Sequence, residues 1–103
     1  MLRRVFIISL FSVLTFITTQ PVMADEALAN SKNCLACHSV ANKIVGPALK
    51  DIAAKYKGDG AAVANLVAKV KNGGGGVWGP VPMPPNPVSD AEAETLVKWI
   101  LTL

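Results

Sequence analysis

The sequence predicts an all-α fold, on three observations. Apolar residues recur at helical spacing in separate stretches, no stretch alternates in the manner of a strand, and a capping signature precedes the last helical stretch. About four helices follow from this, with a long Gly- and Pro-rich strap between the last two.

The elements can be justified in order. Asp25 to about Lys32, rich in Ala and Leu, forms a first helix that runs into a cysteine segment. Pro47 suits the first position of a second helix, with Leu49, Ile52 and Tyr56 on one face and Gly58 as its stop. Asp59 is placed to cap a third helix, on which Val63, Leu66, Val67 and Val70 share a face until the glycines from Gly73 onward end it. Ser89 and Glu92 have the spacing of a capping box before a fourth helix that turns Ala93, Leu96, Val97 and Ile100 inward. Trp99 is expected in the core where the terminal helices meet.

Residues 73–88 hold five Gly and five Pro, which excludes regular structure. A loop this long in a small domain tends to be functional or disordered. Disorder would leave Val77, Trp78, Val81 and Met83 in water. The segment therefore reads as an ordered strap around something apolar that the chain does not itself supply, although the run Gly73 to Gly76 leaves its start loose.

The overall figures average two different pieces. Met1 to Ala24 opens with Arg3 and Arg4, continues through an apolar and hydroxyl run from Val5 to Ile17, and exits at Val22-Met23-Ala24. This is the layout of a signal peptide cleaved after Ala24. A membrane anchor is the rival reading, but the run falls well short of a hydrocarbon core roughly 30 Å thick. The mature domain is then 25–103, in the periplasm and without stable membrane insertion. It carries eight Lys and seven acids, a formal +1 against +3 for the whole chain. Nucleic acid would call for clustered cationic charge, so it is excluded as a partner. A domain this small often needs a staple, a metal or other added interior mass.

Cys34-Leu35-Ala36-Cys37-His38 is the sharpest signal. Two thiols on one turn can each bond a vinyl group of a single haem, and the adjacent imidazole then reaches the iron. A thioredoxin-type disulfide would want a β-rich scaffold. Structural zinc would want about four ligands, and a purely structural disulfide would close a very short loop with little gain. One covalently bound haem is the reading that remains. His38 is the only histidine, and Met83 is the only methionine left after cleavage. Elimination makes His38 and Met83 the axial metal ligands. Core filler is the bland role for an isolated Met, but filler would not need the proline-locked setting Pro82-Met83-Pro84-Pro85.

Cys34-x-x-Cys37-His38, Gly46-Pro47 and Gly76-Val-Trp-Gly-Pro-Val-Pro-Met83-Pro-Pro-Asn86 together resemble the small bacterial class I cytochromes of the c-551 type, over essentially all of 25–103. The resemblance implies helices wrapped around one haem, with the first and last crossing. It implies that Pro47 offers its carbonyl to the free ring nitrogen of His38. It implies that Trp78 donates its indole hydrogen to a haem propionate and that Asn86 hydrogen-bonds near the Met83 sulfur. For Trp78, simple packing of the strap is the rival role. Lys69 stands where the family often has a cation near a propionate, and a solvated helix face accounts for it equally well.

The functional expectation is a soluble, monomeric one-electron carrier rather than an enzyme, exchanging electrons with redox protein partners. The resemblance suggests a terminal oxidase or nitrite reductase as acceptor. A gas sensor or peroxidase-like enzyme, from which Met83 departs, is the alternative from another class. A non-haem thiol oxidoreductase is a third, separated by whether the protein is red. A net charge near +1 predicts little long-range steering of partners.

Overall fold

The computed structural model describes residues 11–17 and 24–103. The predicted leader and its cleavage point thus lie largely outside the described residues. Residues 11–17 carry no regular structure, and Ala24 opens the first helix. Among the described residues no helix is long and apolar enough to cross a membrane.

Four α-helices follow: α1 (Ala24–Ser31), α2 (Leu49–Lys55), α3 (Ala62–Asn72) and α4 (Asp90–Ile100), with a short 3-10 turn at Cys34–Ala36. α4 is the organising element, because α1, α2 and α3 all pack against it. Its start is fixed by a complete capping box. The Ser89 hydroxyl accepts from the Glu92 amide at 3.1 Å, and the Glu92 carboxylate accepts from the Ser89 amide at 3.0 Å. Ala93, Leu96 and Val97 are buried as the spacing predicted, and they meet Ala29 of α1, Leu49 and Ala53 of α2 and Ala62 of α3 in one small core. Ile100 lies half-buried at its margin.

Three local expectations change. Pro47 is not the first helical residue: α2 starts at Leu49, and the Ala48 carbonyl takes the first amides, from Asp51 and Ile52. The Pro47 carbonyl is held by a ring outside the helix, described below, so the chain stays extended through Ala48. Asp59 does not cap α3 itself. Its carboxylate accepts from the Ala61 amide at 2.9 Å and so shapes the turn that leads into the helix. Trp99 is half-buried rather than core, since the inward face of α4 is filled by the smaller side chains at 93, 96 and 97.

Leu49, Leu96 and Val97 are the largest fully buried side chains, and alanines supply most of the rest. That interior is thin for a stable domain. It stops at one wall of an open cleft.

Candidate functional site

The cleft, about 1180 Å3 including its mouth, runs between α2, α3 and α4 on one side and the strap on the other. Leu49, Leu96 and Val97 form its floor, so the core continues directly into it. Cys34, Cys37, His38 and Met83 all line it. The four donors come from two segments far apart in sequence.

The cysteine segment is positioned by its backbone. Asn33, with φ 61°, ends α1 and turns the chain into the 3-10 turn, where the His38 and Cys37 amides both donate to the Cys34 carbonyl, at 2.9 and 3.2 Å. The imidazole is then fixed by two consecutive residues. His38 Nδ1 donates to the Pro47 carbonyl at 2.8 Å. A carbonyl can only accept, so Nδ1 carries the hydrogen and Nε2 keeps its lone pair. Gly46 lies flat against the ring: a Cβ there would fall 2.6 Å from Cε1 and 2.9 Å from Nδ1. The Gly46 amide in turn donates to the Cys37 carbonyl at 2.7 Å, which locks this loop onto the cysteine turn.

The strap is ordered by pairing rather than by helix or sheet. Gly74 and Met83 exchange both backbone hydrogen bonds, at 3.0 and 2.8 Å, in a single antiparallel bridge. The glycine run belongs to this closeness. A Cβ at Gly73 would stand 2.4 Å from the Met83 carbonyl oxygen, and φ at Gly73 is 74°. Gly76 and Gly79 close the tip, with the Gly76 amide donating to Gly79 at 3.1 Å. Asn86 ties the far end down. Its side-chain amide donates to the carbonyls of Val70 at 3.0 Å and Pro84 at 3.2 Å, and its backbone amide also donates to Val70, at 3.1 Å. The carboxamide expected beside the Met83 sulfur is therefore engaged with backbone on either side of that residue.

Trp78 lines the mouth and is 40% exposed, with Lys55 Nζ 5.6 Å from its ring centroid. Lys69 also lines the cleft, its ammonium lying across Gly74. Cys34 and Cys37 are half-buried and not joined to each other. Burial pushes the Cys34 thiol above its ordinary value, against the opposing pull of a backbone hydrogen bond. A thiol–disulfide oxidoreductase would want the reverse, a low-pKa thiolate. Among the described residues no three His, Cys, Asp or Glu side chains converge as zinc would require. An apolar cleft with two thiols, one oriented imidazole and one thioether on its walls fits a haem.

Sequence reasoning gave no role to Gly46, Gly74 or Lys55. Gly46 carried a signal in its place directly before Pro47. Gly74 and Lys55 carried none, because their partners are remote in sequence.

Comparison with known proteins follows this geometry. A model of the family described as Cytochrome c matches residues 25–103. Cytochrome c-551 of Pseudomonas aeruginosa is 48% identical over 99 residues, covering 89% of this chain and 95% of the relative. Among solved structures, wild-type Nitrosomonas europaea cytochrome c552 is similar with a TM-score of 0.74 and 58% identity, over 76% of this chain and 98% of that one. The class 1 cytochrome MtoD from Sideroxydans lithotrophicus is similar at 0.66 and 32%, over 77% and 91%.

Proposed function

The chain belongs to the cytochrome c family, an electron-carrying group with covalently attached haem c, and on that footing we propose an exported, monomeric one-electron carrier with iron held between His38 and Met83. The observation that carries this reading is the oriented imidazole of His38 in a cleft whose other walls hold Cys34, Cys37 and Met83.

Haem c supplies one iron that alternates between ferrous and ferric and so holds or releases one electron. Each cysteine adds its thiol across one vinyl group of the ring: the S–H bond breaks, a C–S bond forms, and the hydrogen goes to the neighbouring vinyl carbon. His38 directs its Nε2 lone pair at the iron because Pro47 holds the other nitrogen. The neutral, soft thioether of Met83 fills the opposite position and favours the ferrous state, which raises the reduction potential. Trp78 donates its indole hydrogen to a propionate, and Lys69 stands near the same edge. Asn86 acts on the sulfur through the strap that it fastens. With both axial positions taken by side chains, no position is left for a substrate.

The leader, Met1 to Ala24, is removed on export to the periplasm. Donor and acceptor meet the mature domain at an exposed apolar patch of Ile44, Val45, Val77 and Val81 beside Trp78. A terminal oxidase or a nitrite reductase suits the acceptor role.

The test is spectroscopy on protein expressed with a haem-attachment system. The mass should equal residues 25–103 plus one haem, the reduced spectrum should be low-spin, and carbon monoxide should not bind at neutral pH. Stoichiometric carbon monoxide binding by the unmutated ferrous protein would replace the carrier with a sensor.

A further inference from the structure

The charge on the mature domain is small in total but unevenly placed. Residues 43–69 hold five lysines (Lys43, Lys50, Lys55, Lys57 and Lys69) against Asp51 and Asp59, a formal +3. The remainder of 25–103 holds three lysines against five acids, a formal −2. Ion pairing sharpens the division. Lys32, Lys71 and Lys98 are each matched to an acid of α4, namely Glu92, Asp90 and Glu94. None of the five lysines in 43–69 has an ion-pair partner among the described residues.

The uncompensated cations stand beside the exposed apolar patch. Lys43 directly precedes Ile44 and Val45, which are 49% and 57% exposed. Lys55 Nζ is 5.6 Å from the Trp78 ring centroid, and Lys69 lines the cleft itself. Screening limits what an approaching molecule senses to charges within about 10 Å at 0.1 M salt, less than the width of a domain this size. At the mouth of the cleft the local charge counts, and the acids of α1 and α4 do not cancel it. The expectation of little steering, drawn from a total of +1, therefore fails at this face.

We propose that the mouth of the cleft, with Lys43, Lys55 and Lys69 around the exposed Val45, Trp78 and Val81, is a cationic docking surface for a redox protein that presents acidic side chains around an apolar contact. This rests on the carrier reading above. The lysines draw and orient the partner, and the apolar centre holds it near the cofactor edge.

The test uses haem-loaded, reduced protein and two small oxidants, anionic hexacyanoferrate(III) and cationic tris(phenanthroline)cobalt(III), in stopped flow. Lys43→Glu and Lys98→Glu change the net charge equally, one at the mouth and one on α4. At about 10 mM salt, Lys43→Glu should slow the anionic probe by roughly three- to tenfold and speed the cationic one. Lys98→Glu should change either rate by less than about twofold, and at about 0.5 M salt the proteins should converge. Lys55→Glu should behave like Lys43→Glu. Equal effects of Lys43→Glu and Lys98→Glu, or no effect of either, would overturn the proposal and leave electron carriage intact. Failure to exchange electrons with both probes would instead overturn the carrier reading on which it rests.

Discussion

His38 Nδ1 donates to the Pro47 carbonyl at 2.8 Å, and the residue just before that proline, Gly46, lies against the same ring. One hydrogen bond and one flat contact from adjacent residues set the direction of the imidazole. Neither depends on the other donors of the cleft, so the ring is oriented by protein alone.

Gly46→Ala tests this grip. The added methyl would lie 2.6 Å from Cε1, and the ring cannot yield without giving up Pro47. Overpacking of this kind costs about 1–3 kcal/mol. Denaturant unfolding should show a lower midpoint with an unchanged slope, and a wild-type midpoint would count against the grip.

Met83→Ala should lower the reduction potential in voltammetry while leaving the haem attached, because the ligand that favours ferrous iron is gone. The reduced variant should also bind carbon monoxide readily. An unchanged spectrum and potential would move the axial assignment elsewhere.

Asn86→Ala removes the side-chain donor to both Val70 and Pro84. At roughly 0.5–1.5 kcal/mol for each hydrogen bond, stability measured in urea should fall by about 1–2 kcal/mol. The potential should move less than in Met83→Ala. Asn86→Asp should be worse than Ala, since it sets acceptor oxygens against two carbonyls.

Glu92 supplies a pH dependence. Its carboxylate accepts from the Ser89 amide and pairs with Lys32 at 3.0 Å, and these contacts, the backbone hydrogen bond first, hold its pKa below the ordinary value. A depressed folded-state pKa stabilises the fold at pH above the unfolded carboxylate range, and that gain is lost as pH falls through the folded value. Glu92→Gln should be less stable than wild type at neutral pH, and the two unfolding curves should draw together on acidification. A gap independent of pH would assign the effect to the cap alone.

The parts legible in the sequence were those encoded within a few residues. The Cys34-x-x-Cys37-His38 spacing and the Ser89–Glu92 box each needed less than two helical turns, and the burial of Ala93, Leu96 and Val97 followed from periodicity. Pro47 was misplaced because its local preference for a helix start yielded to a ring nine residues away. Asn86 was aimed at sulfur, yet its amide found the carbonyl of Val70, sixteen residues back, which no local pattern announces. The looseness expected of Gly73 to Gly76 overlooked a partner strand segment at Met83 that leaves no room for a side chain at Gly73.

The crossing of α1 with α4 sets a timetable. Lys32, two residues before Cys34, is joined to Glu92 roughly sixty residues later. A chain threaded through a membrane from its N-terminus presents Cys34, Cys37 and His38 before α4 has emerged. α1 is eight residues long, too short to persist by itself, so until Leu96 and Val97 arrive the two thiols sit on pliant chain. That interval is when an attachment machinery can reach them. Arrival of α4 then seals the ring in place, so a slowly emerging C-terminus would aid maturation, and premature closure would hinder it.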